Sequence, residues 1–297
     1  MPSPIVIVAN PVSGRGRAIA AARALEKELA RRGAGVVLRE TKTALDARRF
    51  ASEADDDTRA LVSVGGDGTL NEIVNGRRGR AYPVALLPAG TANVLGRENG
   101  LPSEPGAVAE SILAGRTRSI DLGEANGRLF VTLVSVGFDA AVTRELARRR
   151  LGTASPFSYV APALRTLREY AFPPLRVAVN GAPAPGPAFG VVVAKTRNYA
   201  GWFRLARRVA PDDGALEAIS FTRAGRGALL LYFAAMALGR VSLAGGVEYH
   251  EGVREIAVDS DSRVPWQADG DPAGETPLLV RVLPRALPLV VPERSRP

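Results

Sequence analysis

The chain contains no cysteine, and His250 is its one histidine. Without cysteine there is no disulfide framework, no thiolate zinc site and no thiol nucleophile. A single histidine cannot form a histidine metal cluster, so we assign His250 no role. Lysine is also scarce, since it occurs only at positions 27, 42 and 195. The absence of cysteine is compatible with a reducing cytosol.

Long hydrophobic runs are scarce as well. The longest, Ala228–Leu238, has eleven residues and is bounded by Arg226 and Arg240. As a helix it would rise about 16 Å, well short of the roughly 30 Å hydrocarbon core of a bilayer. The first ten residues, MPSPIVIVAN, carry neither a basic region nor a long apolar stretch, so we expect no secretory signal. We therefore expect a cytoplasmic protein that does not span the membrane.

The net charge of +9 fits two interpretations. The first is an arginine-rich surface that is simply solvated. The second is peripheral association with an anionic membrane surface, where each basic residue contributes about 1 kcal/mol. No nucleic-acid-binding motif accompanies the charge, so we expect no nucleic-acid partner. The arginines form two groups: Arg144, Arg148, Arg149 and Arg150, and Arg204, Arg207 and Arg208.

The first 122 residues alternate between short apolar runs and helical patterns. The runs at Ile5–Val8, Val36–Leu38, Leu61–Val64 and Pro83–Leu87 are each followed by a segment with helical periodicity. This alternation predicts a parallel sheet flanked by helices.

A glycine-rich motif stands at the centre of this part. Leu61–Val64 is typical of a buried strand and leads directly into GGDG at 65–68. Glu72 stands three residues after Thr69, a capping-box spacing that predicts a helix starting at Leu70. A glycine turn before a helix N-terminus can present free N–H groups to phosphate. A plain strand–helix turn is the alternative that one motif leaves open.

Two other loops strengthen the phosphate interpretation. Asn10–Gly14 (NPVSG) follows Ile5–Val8, and Pro88–Asn93 (PAGTAN) follows Pro83–Leu87. In a parallel sheet the carboxyl ends of the strands lie at one edge, so these loops should meet the GGDG motif there. The sequence therefore predicts a phosphate site built from three loops.

Neither of the two common nucleotide motifs is complete. The nearest match to a P-loop is GVVVAKT at 190–196, where Ala194 replaces the second glycine inside an apolar strand pattern. A GxGxxG motif beginning at Gly14 has Ile19 in its third glycine position. We therefore expect neither a P-loop nor a dinucleotide fold of that type.

The pattern changes after residue 122. Short alternating segments with turn signals predict antiparallel β structure with added helices. The predicted strands are Phe130–Val136, Leu175–Val179, Phe189–Ala194, Leu216–Phe221, Glu255–Val258 and Leu278–Val282, and the predicted helices lie near Ala140–Arg150, Phe157–Tyr170 and Gly227–Leu238.

The motifs NPVSG, GGDGT and PAGTAN, with APDDGAL at 210–216 and DGD at 269–271, resemble the diacylglycerol kinase catalytic-domain family, and most closely the soluble bacterial lipid kinases. The resemblance implies an α/β nucleotide-binding domain at 1–122, similar to NAD kinase and phosphofructokinase. It also implies a mainly antiparallel β-sandwich domain with helices at 123–283 for the lipid acceptor. Residues 284–297 are expected to return to the first domain.

The resemblance also implies the nucleotide site and its cofactors, ATP and Mg²⁺. Asp67 could hold Mg²⁺ or accept a hydrogen bond from the acceptor hydroxyl. Asn71 and Asn93 fit either a ligand contact or the fixing of a loop. The residues assigned to ATP are Asn10, Pro11, Val12, Ser13, Gly14, Thr41, Gly65, Gly66, Asp67, Gly68, Thr69, Leu70, Asn71 and Thr91.

A second acidic motif carries the predicted general base. By residues alone Asp269-Gly270-Asp271 reads as an ordinary hairpin turn. In the lipid kinases that it resembles, the matching segment is Asp-Gly-Glu and its acidic residues carry the base. Because Asp271 is one methylene shorter than glutamate, we divide the prediction between Asp269 and Asp271.

A structural Mg²⁺ site is the last expectation from the resemblance. It would use the Asp213 carboxylate with the Ala210 and Ala215 carbonyls. Asp121 matches an acidic position in a water–metal network near the nucleotide. That network often includes an aspartate directly after the GTxN asparagine, where this chain has Val94.

The sequence thus predicts an ATP-dependent, Mg²⁺-assisted kinase that phosphorylates a hydroxyl of a lipid alcohol such as diacylglycerol. Aromatic residues of the second half, such as Phe138, Phe157 and Tyr159, could line an acceptor groove or belong to the core. The alternatives are a kinase for a soluble acceptor, such as NAD or a sugar phosphate, and a nucleotide-binding regulator with weak catalysis. The acceptor lipid and the oligomeric state, a homodimer included, stay open.

Overall fold

The computed structural model describes residues 3–148, 160–199 and 203–293. The chain divides into two compact units: Met1–Ile120 with Arg285–Pro297, and Asp121–Pro284.

The described strands are β1 (Ile5–Ala9), β2 (Val36–Glu40), β3 (Ala60–Gly65), β4 (Val84–Pro88), β5 (Thr117–Ala125), β6 (Arg128–Phe130), β7 (Leu133–Gly137), β8 (Arg176–Val179), β9 (Ala182–Pro183), β10 (Gly190–Ala194), β11 (Asn198–Tyr199), β12 (Phe203–Arg204), β13 (Leu216–Phe221), β14 (Val247–Val253), β15 (Glu255–Asp259), β16 (Pro265–Ala268), β17 (Asp271–Glu275) and β18 (Leu278–Val290). The described α-helices are α1 (Arg17–Arg31), α2 (Asp46–Glu53), α3 (Asp67–Gly76), α4 (Val94–Glu98), α5 (Pro105–Ala114), α6 (Phe138–Arg148), α7 (Val160–Glu169) and α8 (Arg226–Ala237).

The first unit is built on a parallel sheet. Its strand order is β2-β1-β3-β4, and the end of β18 joins β4 in parallel register through Leu289 and Val84. Strands β1 and β3 are buried along their whole length because helices cover them, as their continuous apolar sequences require. Helix α1 packs on this core with a stripe of small and aliphatic residues, Ala18, Ala22, Leu25 and Leu29. The predicted parallel α/β fold of this unit is confirmed.

The start of the central helix differs from the prediction. Helix α3 begins at Asp67, with Gly66 as an extended N-cap residue and no side-chain cap, so the predicted Thr69–Glu72 capping box is wrong. Thr69 lies within the first turn, and its side chain leans back over Gly65. A Cβ atom at Gly65 would lie 2.5 Å from Thr69 Oγ1. The helix therefore begins at Asp67, directly after the extended Gly66 backbone, and not at Leu70.

The second unit contains an antiparallel β-sandwich. One sheet has the order β14-β13-β10-β7-β16-β17. The other face is formed by β18, β15, β8 and β9 in antiparallel register. One buried apolar cluster joins the two faces, with Val134 and Val191 from the first and Ile256 and Val280 from the second. The predicted fold class of this part is confirmed.

Several predicted elements of this unit have different bounds. The strand expected at Phe130–Val136 is two strands, β6 and β7, because the chain turns at 131–132. Strand β18 continues to Val290, eight residues beyond the predicted end. Residues 149–150 and 157–159, which belong to two predicted helices, lie outside the described residues.

None of the helices in the described ranges is long and apolar enough to cross a membrane. Helix α8, which contains most of the longest apolar run, has 12 residues.

Candidate functional site

The three glycine-containing loops of the first unit meet at the carboxyl edge of its parallel sheet. The amide of Asn10 donates to the Val64 carbonyl at 3.1 Å, which joins the NPVSG loop to the end of β3. The amides of Ala89 and Gly90 donate to the Gly65 carbonyl at 2.9 and 3.0 Å. Backbone hydrogen bonds therefore link all three strand ends, as the sequence predicts.

Two glycines allow these loops to pack backbone against backbone. Gly14 has φ +59°, and a Cβ atom there would lie 1.9 Å from the Ala89 carbonyl oxygen. A Cβ atom at Gly90 would lie 2.4 Å from the Cα of Gly66. No side chain fits at either position, so the loops depend on glycine for their close approach.

Asparagine side chains hold two of the loops. The Asn93 amide accepts from Gly90 N at 3.0 Å and donates to Gly90 O at 2.8 Å, which closes the PAGTAN loop on itself. Asn10 accepts from Val12 N at 3.2 Å and donates to Thr69 Oγ1 at 3.4 Å. Of the two uses that the sequence leaves open for Asn93, the geometry favours loop fixation.

Asp67 connects the GGDGT and PAGTAN loops. Its carboxylate accepts hydrogen bonds from the amides of Val94 at 3.1 Å and Leu95 at 3.4 Å. The same carboxylate borders a hollow of about 210 Å³ that Gly66 and Asn93 also line. Asp67 therefore fixes the start of α4 and places negative charge beside a small hollow.

The remaining predicted ATP residues differ in accessibility. Leu70 is buried and lines the hollow. Asn71 is also buried, and its side-chain oxygen accepts from Asn75 Nδ2 at 3.2 Å. Thr41 N donates to Ala9 O at 2.9 Å, which places it beside the end of β1, and Thr91 is exposed.

In the second unit, Asp269 is an anchor for the chain between β6 and β7. It begins a two-residue hairpin turn, with φ +51° at Asp269 and +90° at Gly270. Its carboxylate accepts from the amides of Val131 and Thr132, both at 2.8 Å, and of Leu133 at 3.1 Å. The Thr132 hydroxyl donates to it as well. This set of donors favours a structural role for Asp269.

Asp271 is in a more open environment. It pairs with Arg128 at 2.9 Å, and its side chain remains 63% exposed. The hairpin turn predicted from the residues alone is present. Asp271 is the more accessible of the two carboxylates, and the choice of the general base stays a prediction.

The expected metal site of the second unit holds a lysine instead. Lys195 Nζ lies 2.7 Å from Asp121 Oδ2, 2.9 Å from Asp213 Oδ1 and 2.8 Å from the Ala215 carbonyl oxygen. Asp213 and Ala215 are two of the three groups expected to bind the structural Mg²⁺, whereas Asp121 was expected in the separate water–metal network. The third expected ligand is the Ala210 carbonyl, and the Ala210 amide donates to Asp213 Oδ2 at 3.3 Å. The donor set therefore does not fit the metal expected there, because the lysine already takes its oxygens.

Within the described part of the chain, no group of three or more histidine, cysteine or acidic residues could hold a metal ion. The sequence interpretation considered Lys195 only as part of a failed P-loop. Lysine is rare in this chain, which has three, and Lys195 directly follows the apolar run that forms β10. That placement was the signal available for a buried, paired lysine.

The second unit also contains a largely apolar pocket. It encloses about 640 Å³, including its open mouth. Its apolar wall includes Phe138, as the sequence allowed, while Phe157 and Tyr159 lie outside the described residues. Other lining residues are Phe172, Phe189, Val192, Leu205, Phe221, Leu229, Tyr232, Phe233 and Met236.

A polar cluster stands at one wall of this pocket. Ser135 and Asp139 both line it, and the Ser135 hydroxyl donates to Asp139 Oδ2. Gln267 Nε2 lies 2.9 Å from Ser135 Oγ and donates to Asp139 Oδ2 at 3.1 Å. Sequence reasoning assigned no role to these three residues. Two signals were present in the sequence: Ser135 interrupts the apolar run LVSVG at 133–137, and Asp139 lies two residues beyond that run.

Aromatic packing supports the same pocket. The Tyr170 ring stands edge-on to Phe138 and Phe172, with centroid distances of 5.7 and 5.1 Å. Burial raises the pKa of the Tyr170 phenol, so this side chain stays neutral at physiological pH. Tyr170 therefore supports two aromatic lining residues of the pocket, Phe138 and Phe172.

Comparisons with known proteins agree with this arrangement. Residues 4–125 match the model of the diacylglycerol kinase catalytic domain, and residues 132–291 match the YegS C-terminal NAD kinase beta sandwich-like domain. A diacylglycerol kinase of Mycobacterium tuberculosis (strain ATCC 25618 / H37Rv) is 30% identical over 98% of this chain and 96% of its own length. One from Staphylococcus haemolyticus is 27% identical over 97% of this chain and 88% of its own.

Solved structures show the same fold. The crystal structure of a diacylglycerol kinase from Bacillus anthracis str. Sterne matches 99% of this chain and 98% of its own, with a TM-score of 0.73 and 18% identity. At that identity the match concerns the fold alone. Together with the family models, the relatives confirm the resemblance: this chain belongs to the diacylglycerol kinase family and is a kinase.

Proposed function

We propose that this protein is an ATP-dependent, Mg²⁺-assisted lipid kinase that phosphorylates a hydroxyl of a lipid alcohol, diacylglycerol being the first candidate. The observation that carries the proposal is the largely apolar pocket with Ser135 and Asp139 together at one wall. An alkyl or acyl chain fits such walls, and the polar group of a lipid alcohol can face Ser135 and Asp139. A soluble phosphate-bearing acceptor would need cationic partners, and Arg223 is the basic residue among the described lining residues.

The first unit supplies the nucleotide side of the proposal. The amides of Gly65, Gly66 and Gly68 and the hydroxyls of Thr69 and Thr91 are suited to phosphate oxygens. Asp67 fits a Mg²⁺ ion that arrives with the nucleotide, because Mg²⁺ binds through one or two carboxylates plus substrate phosphates and retains several waters. Such an ion neutralises charge on the phosphates during transfer.

The reaction moves one phosphoryl group and one proton. The acceptor oxygen forms a bond to the γ-phosphorus while the bond from that phosphorus to the β–γ bridging oxygen breaks, and ADP leaves. The hydroxyl proton passes to a carboxylate within hydrogen-bond reach. Asp271 is the better suited of the two hairpin carboxylates because Asp269 already accepts three amides and a hydroxyl.

The test is transfer of labelled γ-phosphate from ATP, with Mg²⁺, into a bacterial lipid extract. A labelled product in the organic phase supports the proposal, and its chromatographic identity names the acceptor. Label confined to a small molecule in the aqueous phase would favour the soluble-acceptor kinase. ATP binding with no transfer to either phase would favour the regulator.

The pocket makes a size-dependent prediction at Gly190. A Cβ atom there would make an ordinary 3.6 Å contact with Phe221, so Gly190→Ala should fit. Gly190→Leu extends further into the pocket and occupies space that the acceptor would fill, so the acceptor KM should rise by roughly tenfold, which corresponds to about 1.4 kcal/mol. Steady-state kinetics should show the ATP KM unchanged in both variants. An unchanged acceptor KM in a folded Gly190→Leu protein would remove the pocket from the proposal.

The protein must also reach its lipid, and α8 offers a surface for this. Tyr232 and Met236 face inward and line the pocket. On the outward side Leu230 and Leu231 are exposed, and Leu238 follows the helix in the same state. We propose that this apolar side of α8 enters the surface of an anionic membrane from which the acceptor is taken.

The two arginine groups predicted to attract an anionic membrane differ in how much of their charge is already paired. Arg144 pairs with Glu275 at 2.9 Å and Arg208 with Glu251 at 3.2 Å, so part of the positive charge is compensated. Arg207 stacks over the Tyr249 ring at 3.8 Å. Arg149 and Arg150 lie outside the described residues. The exposed leucines of α8 therefore carry more of the proposal than the arginine groups do.

Flotation with phosphatidylglycerol vesicles tests the membrane proposal. Leu231→Glu should weaken vesicle binding by roughly tenfold or more, because it removes a leucine worth about 1.5–3 kcal/mol on full burial. Leu45→Glu, which changes an exposed leucine of the first unit, serves as the control. Equal vesicle binding by the two variants would exclude α8 as the contact.

A further inference from the structure

Lys195 lies at the centre of an oxygen cluster that includes two of the three groups the family resemblance assigns to a structural Mg²⁺, the Asp213 carboxylate and the Ala215 carbonyl. Its side chain is only 2% exposed, and that of Asp121 is fully buried. Asp213 completes the cluster with a side chain that is 36% exposed. Buried charges of this kind are retained when they are paired and hydrogen-bonded, so the cluster is a fixed ionic contact within the second unit.

The ammonium group is fully satisfied by its surroundings. An ammonium has three N–H donors and no acceptor. Lys195 directs them to three oxygens at 2.7, 2.8 and 2.9 Å, which are the lengths of charge-assisted hydrogen bonds. Mg²⁺ requires near-octahedral oxygens at about 2.0–2.1 Å. An ion at the same position would have to displace the ammonium and would be repelled by it.

The fold holds these groups in place independently of any ligand. Lys195 directly follows β10, and its amide donates to the Thr132 carbonyl at 2.8 Å. Asp121 receives a second hydrogen bond from Gly214 N at 2.8 Å and donates its own amide to Pro211 O at 2.7 Å. The lysine thus fastens the 211–215 turn to the strands beside it.

We infer that the Lys195 ammonium supplies the positive charge that a structural Mg²⁺ ion would supply, so that the second unit carries a built-in cation at this position. Without Lys195, two carboxylates and a carbonyl would face one another. That is a set of hard oxygen donors, suited to a divalent ion. The inference concerns the folding of this unit and does not depend on the identity of the acceptor.

The first experiment uses the wild-type chain, treated with a chelator and free of nucleotide. Its Tm is measured with and without Mg²⁺, beside that of Asp213→Asn, which removes one charged oxygen from the cluster. We expect the two proteins to show the same response to Mg²⁺. A saturable rise in Tm that is present in the wild type and lost in Asp213→Asn would overturn the inference.

The second experiment replaces the lysine by an uncharged side chain of similar length. Lys195→Met should lower the Tm by about 10 °C, the effect of removing one partner of a buried ion pair in a unit of this size. Lys27→Met, at an exposed position of α1, should leave the Tm unchanged. Mg²⁺ should raise the Tm of Lys195→Met by about 5 °C at a concentration of roughly a hundred times its Kd.

Two outcomes of the second experiment would overturn the inference. One is a Tm for Lys195→Met equal to that of Lys27→Met. The other is a lowered Tm that Mg²⁺ does not raise. If Lys195→Met does not fold even with Mg²⁺, the comparison of the wild type with Asp213→Asn decides.

Discussion

Asp67→Asn is expected to reduce phosphoryl transfer by a factor of about 10²–10³, the usual effect of removing one preorganised charged group from a site. The substitution removes the negative charge beside the hollow between the GGDGT and PAGTAN loops. It retains the shape of the side chain and one oxygen acceptor for the amides of Val94 and Leu95. The loss should therefore appear mainly in kcat, with a small change in Tm.

Asp57→Asn provides the matched control for this prediction. Asp57 belongs to the same unit and is exposed, so the same chemical change there should leave kcat as in the wild type. Label transfer from ATP and thermal unfolding are measured on both proteins. A folded Asp67→Asn protein with wild-type kcat would exclude Asp67 from the reaction.

The parallel sheet of the first unit and the meeting of its three loops could be predicted because their information is local. Each glycine-containing loop directly follows its own strand, and parallel topology places the ends of those strands at one edge. The error at Thr69 was also local. A capping-box spacing is satisfied by residue types alone, whereas the helix start depends on the extended backbone of Gly66. Sequence spacing could not distinguish these two starts.

The second unit shows why the rest could not be predicted. Lys195 and Asp121 are 74 residues apart, and Gln267 and Ser135 are 132 apart. Antiparallel pairing of β7 and β16 places Gln267 opposite Ser135, but nothing in one sequence states which polar residues will meet. Asp213 and Ala215, which the resemblance assigns to one structural Mg²⁺ site, both contact Lys195, and no sequence pattern predicted that a lysine would lie between them and Asp121.

The two carboxylates of the β16–β17 hairpin should separate by function when each is replaced. Asp269→Ala removes the acceptor for three amides and the Thr132 hydroxyl, so the free energy of unfolding should fall by about 3 kcal/mol. Asp271→Asn loses an exposed ion pair with Arg128 and should change stability little. If Asp271 is the general base, its replacement should lower kcat by about 10²- to 10⁴-fold.

Thermal unfolding and kcat, measured on both variants below their transition temperatures, distinguish the two roles. Arg128→Gln is the control for Asp271→Asn, because it breaks the same ion pair and keeps the carboxylate. It should retain most of the wild-type kcat, which would assign the loss in Asp271→Asn to the carboxylate and not to the pair. The reverse pattern, with Asp269→Ala stable but inactive and Asp271→Asn active, would transfer the base to Asp269. The hydrogen bonds from 131–133 would then have to release that carboxylate during the reaction.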